Sequence, residues 1–423
     1  MEELWSSQGM FYALHKDFPF ALQFRLTFDF PLDRAALTKA LAVTIARYPY
    51  LKVKMKRQAE EICLADNEKP FLLYEDVAAP TLDPVQNNDY LLRVSAAGNR
   101  LTLCICHALV DGRGFVPFLK TLLHYYWAER FGRDSGIPAV RLLGDSLNDE
   151  ESRDPYLAFR GQVQEPLPPA SHVPEVFQLS RTMDAAGRKY VSCFRMDADE
   201  FMNYVHRVGG TPNALAAQLL SEVIAEVHPE RQADISAGVA MDLRPALGVS
   251  CSHHCSVSLI SLSYEKGQQQ LPGQRTAWYR REIKQGSSLE AQRTHAAYSQ
   301  VFIHRLKLLP TMQEKMNVSR TAVEQGMARS TFTVSYIGQE DLGEINEHLC
   351  FMEIVSDSAI PTLTVIISSC GKWFFFVLNQ NFADDRYVRG LLHRFEAIGI
   401  SCIDVQQQIV PPVPFMDLEE VPE

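Results

Sequence analysis

A stretch without hydrophobic periodicity, residues 148–176, divides this chain of 423 residues into two parts. It begins with the charged run 148–155 and continues into a proline-rich run at 166–169, a composition typical of a connection between packed units. Strand and helix patterns are mixed on both sides of it. The sequence therefore predicts an α+β fold of two halves, 1–147 and 177–423, joined by a crossover.

The first half combines short strands with two amphipathic helices. Gly98 and Asn99 form a turn signal between two alternating runs, and Pro117 is compatible with the first turn of the second helix, where no backbone donor is needed. The predicted elements are strands at 20–28, 51–56 and 61–65, a helix at 37–48, a hairpin of 90–96 and 100–106, and a helix from about 115 to 126.

Helix start signals mark the second half. Asp197, with Glu200 three residues later, resembles a capping box, and Thr211 followed by Pro212 is a second N-cap. The predicted elements are strands at 189–196, 235–243, 331–336, 363–368 and 373–378, and helices at 197–208, 211–227, 290–308, 311–327 and 384–398.

Charge and composition exclude several classes of protein. The chain has 41 Lys and Arg against 51 Asp and Glu, for a net charge of −10, which argues against nucleic acid as a partner. The N-terminal sequence lacks the basic and apolar segments of a secretory signal, and the most apolar later stretch, 359–378, is broken by a proline and a turn, so no integral membrane segment is expected. Nine cysteines without a Cys-x-x-Cys pair indicate reduced thiols in a cytoplasmic protein.

The run Cys251-Ser252-His253-His254-Cys255 holds four potential zinc ligands in five residues. Structural zinc sites usually draw ligand pairs from two separate segments, and no second pair is evident. We therefore expect no metal site here, and favour a strand or loop beside a pocket.

His107 stands directly after a predicted strand, with Asp111 and Gly112 following in a tight connection to a helix. Such connections project side chains into clefts, and a neutral imidazole there can accept a proton from a hydroxyl or amine that attacks an acyl group. Gly112 would permit an abrupt backbone turn. The alternatives are a purely structural histidine and an Asp111 that only caps the helix or lies on the surface.

Four segments carry a resemblance to a known superfamily. Residues 107–112, His-Ala-Leu-Val-Asp-Gly, resemble the His-x-x-x-Asp-Gly motif of the chloramphenicol acetyltransferase-like acyltransferases, which include alcohol acetyltransferases, plant-type acyl-CoA transferases, polyketide-associated acyltransferases and peptide-synthesis condensation domains. Residues 37–51 look like the helix that opens these proteins, 240–245 are similar to their Val-Asp-Leu-Arg-Pro strand, and 334–338 resemble the Ser-Asn-Leu-Gly segment of the alcohol acetyltransferase branch.

This resemblance implies two acetyltransferase-like halves around a central tunnel, with acyl-coenzyme A as a co-substrate, a small acceptor and no permanently bound cofactor. It implies that His107 is the general base and that Asp111 is structural support, paired with an arginine for which Arg244 and Arg25 are candidates. Acyl transfer also needs an oxyanion donor, and Ser335 or Tyr336 is a candidate for that role.

The sequence also departs from parts of the superfamily. Condensation domains usually carry two adjacent histidines, and Cys106 replaces the first one here; the Asp-Phe-Gly-Trp-Gly segment of the plant-type branch does not occur. No carrier or adenylation domain is recognisable after the second half. A stand-alone acyl-CoA-dependent O- or N-acyltransferase is therefore the main hypothesis. The alternatives are a stand-alone condensation-type enzyme that takes its acyl group from an acyl carrier protein, and a catalytically silent binding protein.

Overall fold

The computed structural model describes residues 8–421, except 17, 76–79, 157–174, 180–183, 268–271 and 358–362. Most of the predicted crossover lies outside the described residues. The strands are β1 Ala21–Phe28, β2 Val53–Gln58, β3 Glu61–Asp66, β4 Leu73–Tyr74, β5 Leu92–Ala97, β6 Arg100–Cys106, β7 Lys189–Asp197, β8 Ile235–Asp242, β9 Val257–Tyr264, β10 Phe332–Glu340, β11 Leu349–Asp357, β12 Leu363–Cys370, β13 Trp373–Gln380 and β14 Ile403–Val410. The helices are α1 Gln8–Ala13, α2 Arg34–Arg47, α3 Gly112–Phe131, α4 Ala198–Arg207, α5 Pro212–Val227, α6 Arg244–Leu247, α7 Pro272–Gly286, α8 Leu289–Lys307, α9 Met312–Met327 and α10 Arg386–Ala397.

Two large sheets organise the chain, and the α+β prediction is confirmed. A five-stranded sheet has the order β11-β1-β6-β5-β4, and a seven-stranded sheet has the order β14-β7-β13-β12-β10-β8-β9. The second sheet is mixed, because β10 pairs in parallel with both β8 and β12. Each half has its own apolar core: α2 and α3 contribute to the first, and α4, α5 and α10 to the second.

The local start and turn signals are confirmed. Gly98 has a φ of 60° in the turn between β5 and β6, a backbone that glycine adopts without strain. The Asp197 side chain accepts a hydrogen bond from the Glu200 amide at the start of α4, and the Thr211 side chain accepts one from the Ala214 amide at the start of α5. Each signal acts within four residues, which is why the sequence was sufficient to predict it.

Seven elements were not predicted from the sequence: α1, α6, α7, β4, β9, β11 and β14. The strands β9 and β14 lie at the two edges of the second sheet, and many of their residues are exposed. Edge strands bury only part of their side chains, so their apolar signal is weak. Among the described residues no helix is both long and apolar enough to cross a membrane.

The two halves are interlocked. Strand β11, from the second half of the sequence, pairs antiparallel with β1 of the first sheet, where Arg25 lies opposite Glu353. Val413, Phe415 and Leu418, near the C-terminus, are buried in the first core. The stretch 148–176 therefore separates the two halves along the sequence. Its interpretation as a domain boundary stays a prediction.

One residue in the charged start of the crossover, Glu151, is buried and contacts both halves. Glu151 is 3% exposed and forms a two-pronged ion pair with Arg47 at 2.8 and 3.0 Å. Arg141 lies 3.1 Å from the same carboxylate, and the Tyr50 hydroxyl donates to it at 2.8 Å. On the other side, the Glu151 carbonyl accepts a hydrogen bond from the amide of His253 at 3.0 Å. These contacts join the crossover to the first half through Arg47, and to the second half through His253.

Candidate active site

His107 lies where the chain leaves β6 for α3, and its half-buried side chain lines a cavity. Its imidazole is hydrogen-bonded to its own backbone carbonyl. Because Nδ1 is the ring nitrogen nearest the backbone, this bond makes Nδ1 the donor, and the Cys255 sulfur lies 3.7 Å from the same nitrogen. Nε2 is therefore a hydrogen-bond acceptor, and no described residue donates a hydrogen bond to it.

The environment of His107 favours the neutral imidazole. Burial lowers the pKa of His107 below the ordinary value of 6.5, and the nearby Asp111 carboxylate, which favours the charged form, opposes this only in part. At neutral pH the ring is therefore uncharged and can accept a proton. This is the protonation state that a general base requires.

Asp111 joins the two halves through its carboxylate. Oδ1 accepts hydrogen bonds from the Gly114 amide at 2.7 Å and from Arg244 Nη2 at 2.8 Å, while Oδ2 accepts one from the Ser256 amide at 2.9 Å. Asp111 is therefore both the N-cap of α3 and the partner of an arginine. Pro117 lies in the second turn of α3, so its predicted place in the first turn was wrong.

Arg244 is the arginine that pairs with Asp111, and it is 4% exposed. Its guanidinium also donates to Asp242 Oδ1 at 3.0 Å and to the carbonyls of Ser252 and His254, each at 2.8 Å. Burial alone would lower the pKa of Arg244, but the Asp111 and Asp242 carboxylates outweigh it and raise the pKa. The guanidinium therefore stays charged and ties the loop before β9 to the loop after β6.

Arg25, the other candidate partner of Asp111, is elsewhere. Its guanidinium donates to Gln23 Oε1 at 2.6 Å and to Gln408 Oε1 at 3.3 Å. It lies between β1, β11 and β14, and the alternative pairing with Asp111 was wrong.

The close contact of the two loops depends on Gly114 more than on Gly112. Gly112 is the first helical residue of α3, so the abrupt turn expected of it was wrong. A Cβ there would lie 2.7 Å from the end of the Ile337 side chain, and its other neighbour, Phe24, would be at an ordinary 3.8 Å. A Cβ on Gly114 would lie 2.3 Å from the carbonyl oxygen of His253 and 2.8 Å from Arg244 Nη2. The backbone of the second half thus passes directly over Gly114.

Gly114→Ala is expected to lower the free energy of unfolding by about 1–3 kcal/mol, because a backbone carbonyl cannot move aside as a side chain can. Gly112→Ala is the matched control, and its cost should be smaller because Ile337 can change rotamer. Urea unfolding of both variants measures the difference. Equal costs would show that the two loops are not held as closely as described.

The cavity has a volume of about 290 Å³ and lies between the halves. Its wall is mainly apolar, with a few polar groups near His107. Residues from both sheets contribute to it, and they include Leu22, Ile354, Ala240, Leu259, Thr364 and Ile366. A tunnel that reaches both surfaces of the protein stays a prediction.

Ser335 and Tyr336 both line the cavity, but strand alternation turns them in opposite directions. Tyr336 packs on the second core, with its ring 5.9 Å from that of Phe374. Burial raises the pKa of the Tyr336 hydroxyl. Ser335 shares its side of β10 with Ile337, which belongs to the first core across the cavity. Ser335 is therefore the better placed of the two to face His107.

The segment 251–255 is a loop beside the cavity, as favoured from its sequence. His253 Nδ1 lies 2.7 Å from the Glu151 carbonyl, and His254 Nε2 lies 2.9 Å from the Ser152 carbonyl. Among the described residues no group of three His, Cys, Asp or Glu side chains is placed to hold a metal ion. The two imidazoles instead connect the crossover to the loop that carries Cys255.

Sequence reasoning missed two neighbours of His107, Phe20 and Cys255. The ring of Phe20 lies parallel to the imidazole, and Cys255 approaches Nδ1 from the second half. Cys255 was noticed only as a candidate zinc ligand. No local signal joins either residue to His107, because the contacts span 87 and 148 positions of the chain.

Comparison with protein-family models gives no match, and neither does comparison with curated protein sequences. Comparison with solved structures does. Polyketide synthase associated protein 5 from Mycobacterium tuberculosis superposes with a TM-score of 0.62 at 12% identity, over 92% of this chain and 95% of that one. TRI101 of F. sporotrichioides, in a complex with coenzyme A and T-2, gives a TM-score of 0.56 at 13% identity, over 95% and 100%.

This chain has the chloramphenicol acetyltransferase-like fold. The condensation domain of the monacolin K polyketide synthase MokA shares it as well, with a TM-score of 0.55 at 12% identity over 92% of this chain and 95% of that domain. The predicted superfamily fold is thereby confirmed. Identities this low concern the fold alone, so the chemistry has to be argued from the residues of the cavity.

Proposed function

We propose that this protein is an acyltransferase that moves an acyl group from an acyl-coenzyme A thioester to the hydroxyl or amine of a small apolar acceptor. The observation that carries the proposal is the position of the His107 imidazole at the wall of a mainly apolar cavity, where no described residue hydrogen-bonds to Nε2 and burial lowers the pKa of the ring. An apolar wall selects an apolar acceptor, and the unoccupied nitrogen can take its proton.

The reaction proceeds in two steps. The acceptor hydroxyl gives its proton to His107 Nε2 as its oxygen attacks the thioester carbonyl, and the carbonyl oxygen becomes a tetrahedral oxyanion. The oxyanion then collapses, the carbon–sulfur bond breaks, and the imidazolium returns the proton to the leaving sulfur. The products are an ester and free coenzyme A, or an amide when the acceptor is an amine.

Asp111 supports this chemistry without contacting the substrate. Its carboxylate accepts hydrogen bonds from α3 and from two groups of the second half, Arg244 and the Ser256 amide. These bonds fix the loop that starts at His107, so Nε2 keeps its direction into the cavity. We propose that Asp111 and Arg244 are positioning residues and that Gly112 provides space at the start of α3.

The experiment that tests the function is a screen for free thiol release. Purified protein is offered acyl-coenzyme A of several chain lengths with pooled alcohols, amines and sterols, and the release is compared with and without acceptor. Acceptor-dependent release without any carrier protein would support the proposal. Transfer only from a carrier-bound acyl group would favour the condensation-type alternative, and no transfer from either donor would favour a binding protein.

The pH dependence of kcat/KM should have an acid limb whose midpoint lies below 6.5. Since burial lowers the pKa of His107, the base is still mostly neutral at pH 6.5, and activity is lost only as the pH falls through the lowered pKa. The rate at pH 6.5 should therefore exceed half of the plateau. A midpoint above 6.5 would contradict the assignment of the half-buried His107 as the base.

Ser335 is proposed to donate a hydrogen bond to the oxyanion. Ser335→Ala is expected to lower kcat by about 10²–10³-fold, the usual loss when one oxyanion donor is removed. Tyr336→Phe, the matched loss of a hydroxyl from the adjacent residue, should leave kcat close to the wild-type value. Steady-state kinetics of both variants decides between the two candidates, and the reverse order would assign the role to Tyr336.

A further inference from the structure

Phe20 has an unusual backbone directly before β1. Its φ is 45°, in the left-handed region that side chains other than glycine rarely adopt. Such a conformation costs energy and persists only where the surrounding structure determines it. At Phe20 the surroundings that determine it include His107.

Two contacts join Phe20 to His107. The Phe20 carbonyl accepts a hydrogen bond from the His107 amide at 2.8 Å. The phenyl ring lies against the imidazole with the ring centroids 4.7 Å apart and the planes 8° from parallel. The left-handed backbone thus allows the carbonyl and the ring of one residue to face the same histidine.

The stack continues away from the cavity. The ring of Phe18 lies 5.4 Å from that of Phe20 with the planes 19° apart, and His15 lies 6.0 Å beyond Phe18. Phe18 is itself buried, with 6% of its surface exposed. The Phe20 ring therefore lies between the Phe18 ring and the imidazole, and it cannot rotate freely against the imidazole.

We propose that Phe20 is a positioning residue for His107, which fixes the plane of the imidazole and shields one face of it from water. The direction of Nε2 follows from that plane, because Nε2 lies in the ring. Loss of the phenyl ring would let the imidazole tilt and would admit water to its face. The predicted effect on turnover rests on the proposed function, whereas the effect on the imidazole itself does not.

The pair Phe20→Leu and Phe20→Tyr tests the proposal in the acyl-transfer assay. Leucine removes the flat ring, so kcat is expected to fall on the order of tenfold, with a smaller change in KM. The midpoint of the acid limb should move up toward 6.5, because water reaches the imidazole and stabilises its charged form. Phe20→Tyr retains the stacked ring, so its kcat and the midpoint of its acid limb should be close to those of the wild type.

The control is Phe28→Leu, at the opposite end of β1. Phe28 is also stacked on a neighbouring ring, that of Phe30 at 5.4 Å, and it does not line the cavity. Loss of the Phe28 ring should lower the stability of the protein while kcat and the acid limb stay as in the wild type. A merely structural role of Phe20 predicts that Phe20→Leu behaves like this control.

The other charged and titratable groups around His107 are the same in all of these variants. They include Asp111 on its own loop, Cys255, Arg244, Asp242 and Tyr336 of the second half, and Arg113 at the cavity wall. A shift of the His107 titration in Phe20→Leu alone is therefore due to the missing ring.

A second readout does not depend on acyl transfer. Diethyl pyrocarbonate transfers an ethoxycarbonyl group to the neutral imidazole, and mass spectrometry of the peptide that contains His107 gives the rate as a function of pH. Phe20→Leu should react faster at its plateau and with a higher midpoint than the wild type or Phe28→Leu. Identical midpoints and rates would overturn the proposal. A shifted midpoint in a protein without acyl transfer would uphold it and refute the proposed function instead.

Discussion

Arg244→Ala is expected to lower the free energy of unfolding by about 3–5 kcal/mol, one of the two largest effects that the structure predicts. Asp111 is 1% exposed, and without Arg244 its carboxylate would be a buried charge whose remaining partners are backbone amides. Arg244 also donates to the carbonyl of Ser252, which would lose its donor, and to that of His254, which would keep only the Ser256 hydroxyl. Urea unfolding monitored by fluorescence measures the change.

Lys39→Ala is the control for this prediction. Lys39 forms an ion pair with Glu129 in which both side chains are largely exposed, 69% and 41%. Exposed pairs contribute about 0–1 kcal/mol, so this variant should unfold close to the wild type. If Arg244→Ala lowered the free energy of unfolding no more than Lys39→Ala does, the pair of Arg244 and Asp111 would not hold the halves together.

His107→Ala is expected to lower kcat by about 10²–10⁴-fold, the usual contribution of a general base. The loss should be of this size because no described residue replaces Nε2 at the cavity wall. The fold should survive, since the ring is half-buried and Asp111 has no hydrogen bond to it. Steady-state kinetics together with an unfolding curve separates the two effects.

His124→Ala is the control for this prediction. His124 lies on α3 and contacts Ser135 rather than the cavity. Its removal should leave kcat near the wild-type value. Unchanged turnover in His107→Ala would refute the assignment of the base, whatever the control does.

Signals that act over a few residues were enough to predict much of the fold. The Gly98-Asn99 turn, the Asp197 and Thr211 caps and the apolar stripe of α3 each depend on neighbours within one or two helical turns. Strand β11 was missed because its partner, β1, lies in the other half of the sequence, more than 300 residues away. No local pattern specifies such a pairing.

The site shows the same limit. His107 and Asp111 were found because their motif lies within six residues. For the arginine partner of Asp111 the sequence left two candidates. The fold brings Arg244 to Asp111 although the two residues are 133 positions apart. The need for a glycine at 114 was not predictable, because the carbonyl that approaches it belongs to the second half. The proposed role of Phe20 was not predictable either, because its positive φ cannot be inferred from a phenylalanine in the sequence.

The most direct test of the central claim follows the acyl group itself. Wild-type protein and His107→Ala are incubated with isotope-labelled acyl-coenzyme A and an acceptor found in the screen, and mass spectrometry measures the labelled ester or amide. The account predicts labelled product with the wild type, without any carrier protein, and a loss of about 10²–10⁴-fold with His107→Ala. Equal product from both proteins would contradict it.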